Sequence, residues 1–324
     1  MRVHANDGIS AEGKALMVQE EFNVTTEHVP QEKLADFLNA QKVDALLVRS
    51  ATKVGKDILD ACPHLRLVGR GGVGMDNIDV AYAKQKGVRV VNTPASSSIS
   101  VAELVMAHLF SLTRDLYKAN RRMPGEGATA FKEMKKAYGN GAELRGKTLG
   151  VIGFGRIGGW VARYAIGAGM KVIYTDRHAT VDHLDMEFNG IPFSVGIKMV
   201  PMEELLDKSD AITLHVPSNP DNSPVLGAKE FAQMKRGMLL VNTARGTSVD
   251  EQALIKALKD GTVKAAGIDV FRNEPTPNTE LLAQPNVSLS PHIGAATAEA
   301  QDRIGIELAE LLIAWRDEVT VDRG

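Results

Sequence analysis

Short apolar runs alternate along the chain with stretches whose apolar positions recur every three or four residues. The runs at 43–48 (VDALLV), 65–68 (LRLV), 88–91 (VRVV), 148–152 (TLGVI) and 171–175 (KVIYT) read as strands. So do 211–216 (AITLHV), 238–242 (MLLVN), 265–270 (AAGIDV) and 286–290 (NVSLS). Between them, 32–41, 76–86, 157–168, 202–208, 228–236 and 250–260 carry helical spacing, and Gly87 and Gly261 stand where helices should stop. Strand–helix alternation predicts an α/β fold built on doubly wound parallel sheets. Val101, Leu104, Val105, Leu109, Leu112 and Leu116 predict one long helix over 100–120. The 121–147 region, with Pro124, several glycines, Lys132, Lys135 and Lys136, reads as loop, as does 272–278; helix is expected again over 296–316.

Composition narrows the class. A length of 324 residues suggests about two domains at ~150 residues each. With 44% hydrophobic and 24% charged residues the chain is of ordinary globular type, and no apolar run reaches the ~20 residues of a spanning helix. The start, MRVHANDGISAEGK, lacks the apolar core of a secretory signal. Cys62 is alone, which excludes an internal disulfide and a cysteine zinc site, and it reads as a packing residue. Charges of 38 basic and 40 acidic residues argue against a nucleic-acid surface. A cytoplasmic protein with neither membrane nor nucleic-acid partner is expected.

Three glycine motifs compete for a phosphate. Gly153-Phe154-Gly155-Arg156-Ile157-Gly158 follows the strand TLGVI and opens a helical pattern; the next strand ends at Asp176, 18 residues beyond Gly158. This is a dinucleotide fingerprint: Gly153 and Gly155 allow a tight turn beside pyrophosphate, and Gly158 lets the helix pack on the strand. Asp176 would accept from ribose hydroxyls and favours NAD over NADP, which Arg177 beside it leaves open. Gly69 to Gly74 (GRGGVG) has the same spacing, but the next strand ends at Asn92, so that turn should bind something else. Gly141 to Thr148 (GAELRGKT) matches a P-loop in letters only, because its strand follows instead of preceding it.

In open parallel sheets ligands sit beyond the carboxyl ends of the strands. Thr243-Ala244-Arg245, Asp269 with Glu274, and Pro291-His292-Ile293-Gly294 all fall there. The set suits hydride transfer coupled to proton transfer on a 2-hydroxy acid. A histidine moves the hydroxyl proton, a carboxylate on its other ring nitrogen fixes the tautomer, and a guanidinium grips the substrate carboxylate. The other seven histidines lack such company. The five-residue spacing of His178 and His183 does not suit a helical zinc pair, so no metal is expected; His215 reads as lining the cofactor cleft.

With GFGRIG, NTARG, DVFRNEP and PHIGAAT in order, the chain resembles the D-isomer-specific 2-hydroxyacid dehydrogenases over essentially its whole length. That resemblance implies Arg245, Glu274 and His292 as the catalytic group, with His292 the acid/base. It implies Arg156 and Ile157 at the pyrophosphate, Asp176 at the ribose, and Val216, Thr243, Ala244, Asp269 and Gly294 beside the nicotinamide of NAD. It also implies a Rossmann NAD-binding domain at 99–293, inserted in a flavodoxin-like substrate domain of 1–98 and 294–324. A crevice between the two would close on binding, and a homodimer would form through the NAD-binding domain.

The run VRSATKV and the following GRGGVGMDNID look like the phosphoglycerate dehydrogenases within that family. Arg49 and Arg70 end neighbouring strands, with Lys53 close by, giving more positive charge than one small carboxylate needs; a phosphate accounts for it. Arg49, Ser50 and Arg70 would meet the phosphate of 3-phospho-D-glycerate, and Gly72, Val73 and Gly74 its carboxylate or the nicotinamide. Lys135 is a further candidate for the substrate. The expected reaction opens serine biosynthesis. Since the sequence ends at Gly324, the regulatory domains of longer relatives, and feedback by serine through them, are not expected. Rival readings are a glyoxylate or hydroxypyruvate reductase, another D-2-hydroxyacid dehydrogenase, or an NAD-sensing co-repressor-like binding protein.

Overall fold

The computed structural model describes residues 1–321 and divides into two compact units. The first comprises residues 1–100 and those from Ala295 onward; the second is Val101–Gly294.

In the first unit β1 (Arg2–Ala5), β2 (Asn23–Thr25), β3 (Ala45–Val48), β4 (Leu67–Arg70) and β5 (Arg89–Asn92) form one parallel sheet in the order β2-β1-β3-β4-β5. This is the flavodoxin-like order, with its switch point between β1 and β3. All four residues of β3 are buried, as expected of a strand covered on both faces. Leu34 and Leu38 of the helix Gln31–Ala40 cover one face, together with Ile58 and Leu59 of Lys56–Ala61. Met17 of Ala11–Gln19 and Ile304, Leu308, Leu312 and Trp315 of Ala298–Val321 form the core on the other.

The second unit carries β6 (Thr148–Ile152), β7 (Lys171–Thr175), β8 (His183–Phe188), β9 (Ile191–Gly196), β10 (Lys198–Met199), β11 (Ala211–Leu214), β12 (Met238–Asn242), β13 (Val263–Ile268) and β14 (Val287–Leu289). Seven of them form a parallel sheet in the order β10-β7-β6-β11-β12-β13-β14. The connection reverses direction between β6 and β11, so a dinucleotide crevice belongs beyond their carboxyl ends.

Several expectations need correction. The helix expected over 100–120 is two, Ser98–Thr113 and Leu116–Glu126, because Asp115 turns into the left-handed region (φ 49). The 121–147 region is not all loop: Leu116–Glu126 runs through Pro124, and Phe131–Ala137 is helical. Proline removes one N–H, but the Arg122–Glu126 ion pair and the bond from Gly127 N to Met123 O bridge the gap. Strand 65–68 is displaced to Leu67–Arg70, so Arg70 is part of β4 and pairs with Val48. Strand 265–270 is displaced to Val263–Ile268, 211–216 stops at Leu214, and the helix of 228–236 is only Ala228–Phe231. β1, β2 and the β8–β9 hairpin were not expected. β1 and β2 are too short to show a period. The hairpin carries a signal, Asn189-Gly190, both at positive φ as a two-residue turn demands.

Candidate active site

The Gly153 turn leaves β6 at φ 91 and lies against β11, where a Cβ would stand 2.6 Å from the His215 carbonyl oxygen. Gly155 caps the helix Arg156–Gly167 with no side-chain bond, and a Cβ there would meet nothing within 4 Å. Arg156 is exposed and Ile157 half-buried on the first turn; Gly158 is buried against the Gly153 carbonyl. Backbone donors of this first turn therefore stand open to an anion.

Asp176 follows β7. Its Oδ2 accepts from Phe154 N at 2.6 Å, and its Oδ1 from His178 N at 2.7 Å and Ala179 N at 2.8 Å. Partial burial opposes its ionisation, but the bonds from Ala179, His178 and Phe154 outweigh it and hold the carboxyl below its ordinary range. Three acceptor sites of about four are used, which leaves room for a hydroxyl. Beyond β11 and β12 lie half-buried Val216 and buried Thr243 and Ala244. Thr243 Oγ1 is buried without a protein partner, as is Nδ1 of His215. Burial pushes His215 down to about 3, so this ring is neutral. The open glycine turn, the carboxylate and the orphaned hydroxyl fit a dinucleotide.

Along the same sheet edge, three loops meet around His292. Asn242, the last residue of β12, folds the Arg245 loop: its Nδ2 donates to Arg245 O at 2.9 Å and its Oδ1 accepts from Ala244 N at 3.1 Å. Arg245 Nη1 donates to Ala244 O at 2.6 Å. Gly246 then sits where any Cβ would overlap the backbone of Phe271 and Arg272, so the Arg245 loop is pressed onto the loop carrying Glu274. Glu274 Oε1 accepts from Phe271 N at 2.9 Å, and its Oε2 stands 2.7 Å from His292 Nδ1. Both side chains are partly open, 44% for His292 and 36% for Glu274, so substrate can reach the ring.

His292 has φ 54, uncommon for a residue with a side chain, and Asp269 holds that turn. The Asp269 carbonyl accepts from His292 N at 2.8 Å, its Oδ1 from Ile293 N and its Oδ2 from Gly294 N, both at 2.9 Å. Asp269 is fully buried. Its carboxylate clamps the turn that carries His292.

In the first unit the C-terminal edge gathers Arg49, Ser50, Arg70 and the glycine loop. Asp7 Oδ2 accepts from Arg49 N at 2.6 Å and from Thr52 N, while Asn77 Nδ2 donates to the carbonyls of Arg49 and Thr52. Ser50 and Lys53 are exposed. Arg70 folds back, its Nη1 donating to Gly71 O at 3.1 Å across a Gly72 that has φ 139 and no room for a Cβ. Val73 is exposed, its carbonyl held by Asn92, and Gly74 is half-buried. Lys135 is exposed on Phe131–Ala137.

Sequence reasoning missed Asn242, Asp7 and Asn77, whose work is on backbone groups. Other histidines have polar partners that the local pattern does not show, among them His183 beside Asp182. His4 stands 2.8 Å from Thr25 Oγ1 and 3.1 Å from Asn6 Oδ1, and His108 lies between Ser288 and Ser290. Cys62 is buried, and burial pushes its thiol up to about 11, as suits a packing residue. Among the described residues no His, Cys, Asp and Glu group could hold a metal, and no helix is long and apolar enough to cross a membrane.

Known proteins share this fold and its dinucleotide-binding half. Residues 106–294 match the NAD-binding domain of the D-isomer-specific 2-hydroxyacid dehydrogenases. The chain is 43% identical over 313 residues to a hydroxypyruvate reductase of Thermotoga maritima, covering 95% of this chain and 96% of that one. It is 41% identical over 291 residues to a D-3-phosphoglycerate dehydrogenase of Methanocaldococcus jannaschii, covering 90% of this chain and 52% of the relative. The crystal structure of a glyoxylate reductase from Paecilomyes thermophila superposes with a TM-score of 0.81 at 29% identity, over 96% of this chain and 94% of that one.

Proposed function

The chain belongs to the D-isomer-specific 2-hydroxyacid dehydrogenases, and we propose that it interconverts 3-phospho-D-glycerate and 3-phosphohydroxypyruvate with NAD. The observation that carries the substrate is that Arg49 and Arg70 both stand at the carboxyl edge of the first unit's sheet. Val48 pairs with Arg70 across neighbouring parallel strands, Arg49 follows Val48, and the Arg49 side chain lies 3.6 Å from where a Gly71 Cβ would be. Two planar cations on one edge suit a dianionic phosphate. Ser50 adds a hydroxyl, and Gly72, Val73 and Gly74 offer backbone to the acid end.

Bound NAD would supply the hydride chemistry at C2 of the substrate. Nε2 of His292 takes the C2 hydroxyl proton on oxidation and returns it on reduction. Glu274 on Nδ1 keeps Nε2 facing the substrate and stabilises the imidazolium. Arg245 holds the substrate carboxylate and polarises the C2 oxygen. Gly153, Gly155, Arg156, Ile157 and Gly158 would hold the pyrophosphate, Asp176 the ribose, and Val216, Thr243, Ala244, Asp269 and Gly294 the nicotinamide. Phe110, Leu116, Met123 and Phe131 of the second unit are exposed, which supports a homodimer formed through it.

A second reading, hydroxypyruvate as the substrate, has its own support. The Thermotoga relative matches end to end, whereas the chain spans about half the length of the phosphoglycerate dehydrogenases it matches. The two are separated by Arg49→Ala and Arg70→Ala. On a phosphorylated substrate each should lower kcat/KM about 10- to 100-fold, as losing a charged hydrogen bond implies, with little change on hydroxypyruvate. Equal losses on both acids would remove the phosphate assignment.

A further inference from the structure

The second unit holds a buried imidazole that the reaction does not use. His108, on Ser98–Thr113, is 5% exposed, with Nδ1 3.1 Å from Ser288 Oγ and Nε2 3.1 Å from Ser290 Oγ. Ser290 Oγ donates to Asp269 Oδ1 at 2.6 Å. A carboxylate oxygen only accepts, so the serine proton is committed to Asp269 and the serine oxygen is left to accept from His108. The ring is thereby fixed with its proton on Nε2, and Nδ1 accepts from Ser288. Burial, which outweighs the opposing charge of Asp269, lowers the ring's pKa and keeps it neutral.

Asp269 is the same residue whose carbonyl and carboxylate hold the backbone of His292, Ile293 and Gly294. That turn includes a non-glycine residue at positive φ and needs an external hold. We propose that His108 is a positioning residue for the acid/base. Through Ser290 and Asp269 it fixes the turn that sets His292 against Glu274 and toward the substrate oxygen. The proposal rests on His292 being the acid/base.

The test uses His108→Leu, His108→Gln, Ser290→Ala and His292→Ala in the full chain. NADH-dependent reduction is followed with 3-phosphohydroxypyruvate and hydroxypyruvate, using the faster of the two, and NADH affinity is read by fluorescence. His108→Leu should lower kcat about 10-fold, the scale of a small misplacement, with KM and NADH Kd within about twofold of the parent. His108→Gln, whose amide N–H can stand in for the ring Nε2–H, should recover most of that loss. A role in packing alone would lower thermal stability and leave kcat per NADH-binding site unchanged. That result, or a glutamine variant as slow as the leucine one, overturns the proposal. If His108→Leu does not fold, Ser290→Ala cuts the same path and must show the same kcat loss; a parental kcat there overturns it. His292→Ala reads the underlying assignment separately: parental turnover in that variant removes the acid/base role itself.

Discussion

His292 is held at φ 54 by its own N–H bond to Asp269, and its Nδ1 is committed to Glu274. Only Nε2 is left for the proton. His292→Ala should therefore lower kcat by about 10²–10⁴, the usual contribution of a positioned acid/base, while NADH Kd changes less than about twofold. Stopped-flow turnover beside fluorescence titration checks both halves. Arg245, Glu274 and His292 could be proposed from sequence because few residue types do this chemistry and each lies just past an apolar run. Asn242, Asp269 as a clamp, and His108 could not. Their hydrogen bonds go to backbone groups or to serines about 180 residues away, and neither leaves a mark on local pattern. His108 on an apolar helix face looks, in sequence, like any buried histidine.

At the scale of elements, two glycines make opposite demands. Gly155 has open space around its absent side chain, so Gly155→Ala should fold with nearly parental stability yet weaken NADH binding about 10-fold or more by crowding the helix N-terminus. Gly246 has backbone where its side chain would go, so Gly246→Ala should lose ~1–3 kcal/mol in urea denaturation, and activity with it, as the Arg245 loop is pushed from the Glu274 loop. Elements with a clear pattern were read in place, among them Thr148–Ile152 and Met202–Lys208. Errors fell where period is too short to count, as in β2, where proline was weighted over the bonds around it, as at Pro124, at the left-handed Asp115, and at element ends such as Leu67–Arg70. The β8–β9 hairpin replaces the helix a doubly wound unit would place there, and only its Asn189-Gly190 turn announces it.

For the whole molecule, His4, His108 and His215 are each held by burial below the ordinary histidine value of 6.5. Below that pH the unfolded chain binds protons that the folded chain refuses, so stability is full above about 6.5 and declines as acid is added. A urea midpoint lower at pH 5.5 than at pH 7.5, with the difference reduced in His108→Gln, is the expected result. The parallel sheets, and the dinucleotide turn at the reversal between β6 and β11, follow from strand–helix alternation and one glycine motif in its proper context. Substrate choice does not, because under the proposed assignment it turns on which anion meets Arg49 and Arg70. The decisive measurement is NADH oxidation by the purified protein with 3-phosphohydroxypyruvate beside hydroxypyruvate, glyoxylate and pyruvate. A kcat/KM at least about tenfold higher on the phosphorylated keto acid is predicted, the scale of one charged hydrogen bond to the extra group. Equal or faster turnover of hydroxypyruvate would contradict the phosphate assignment while leaving the dehydrogenase fold intact.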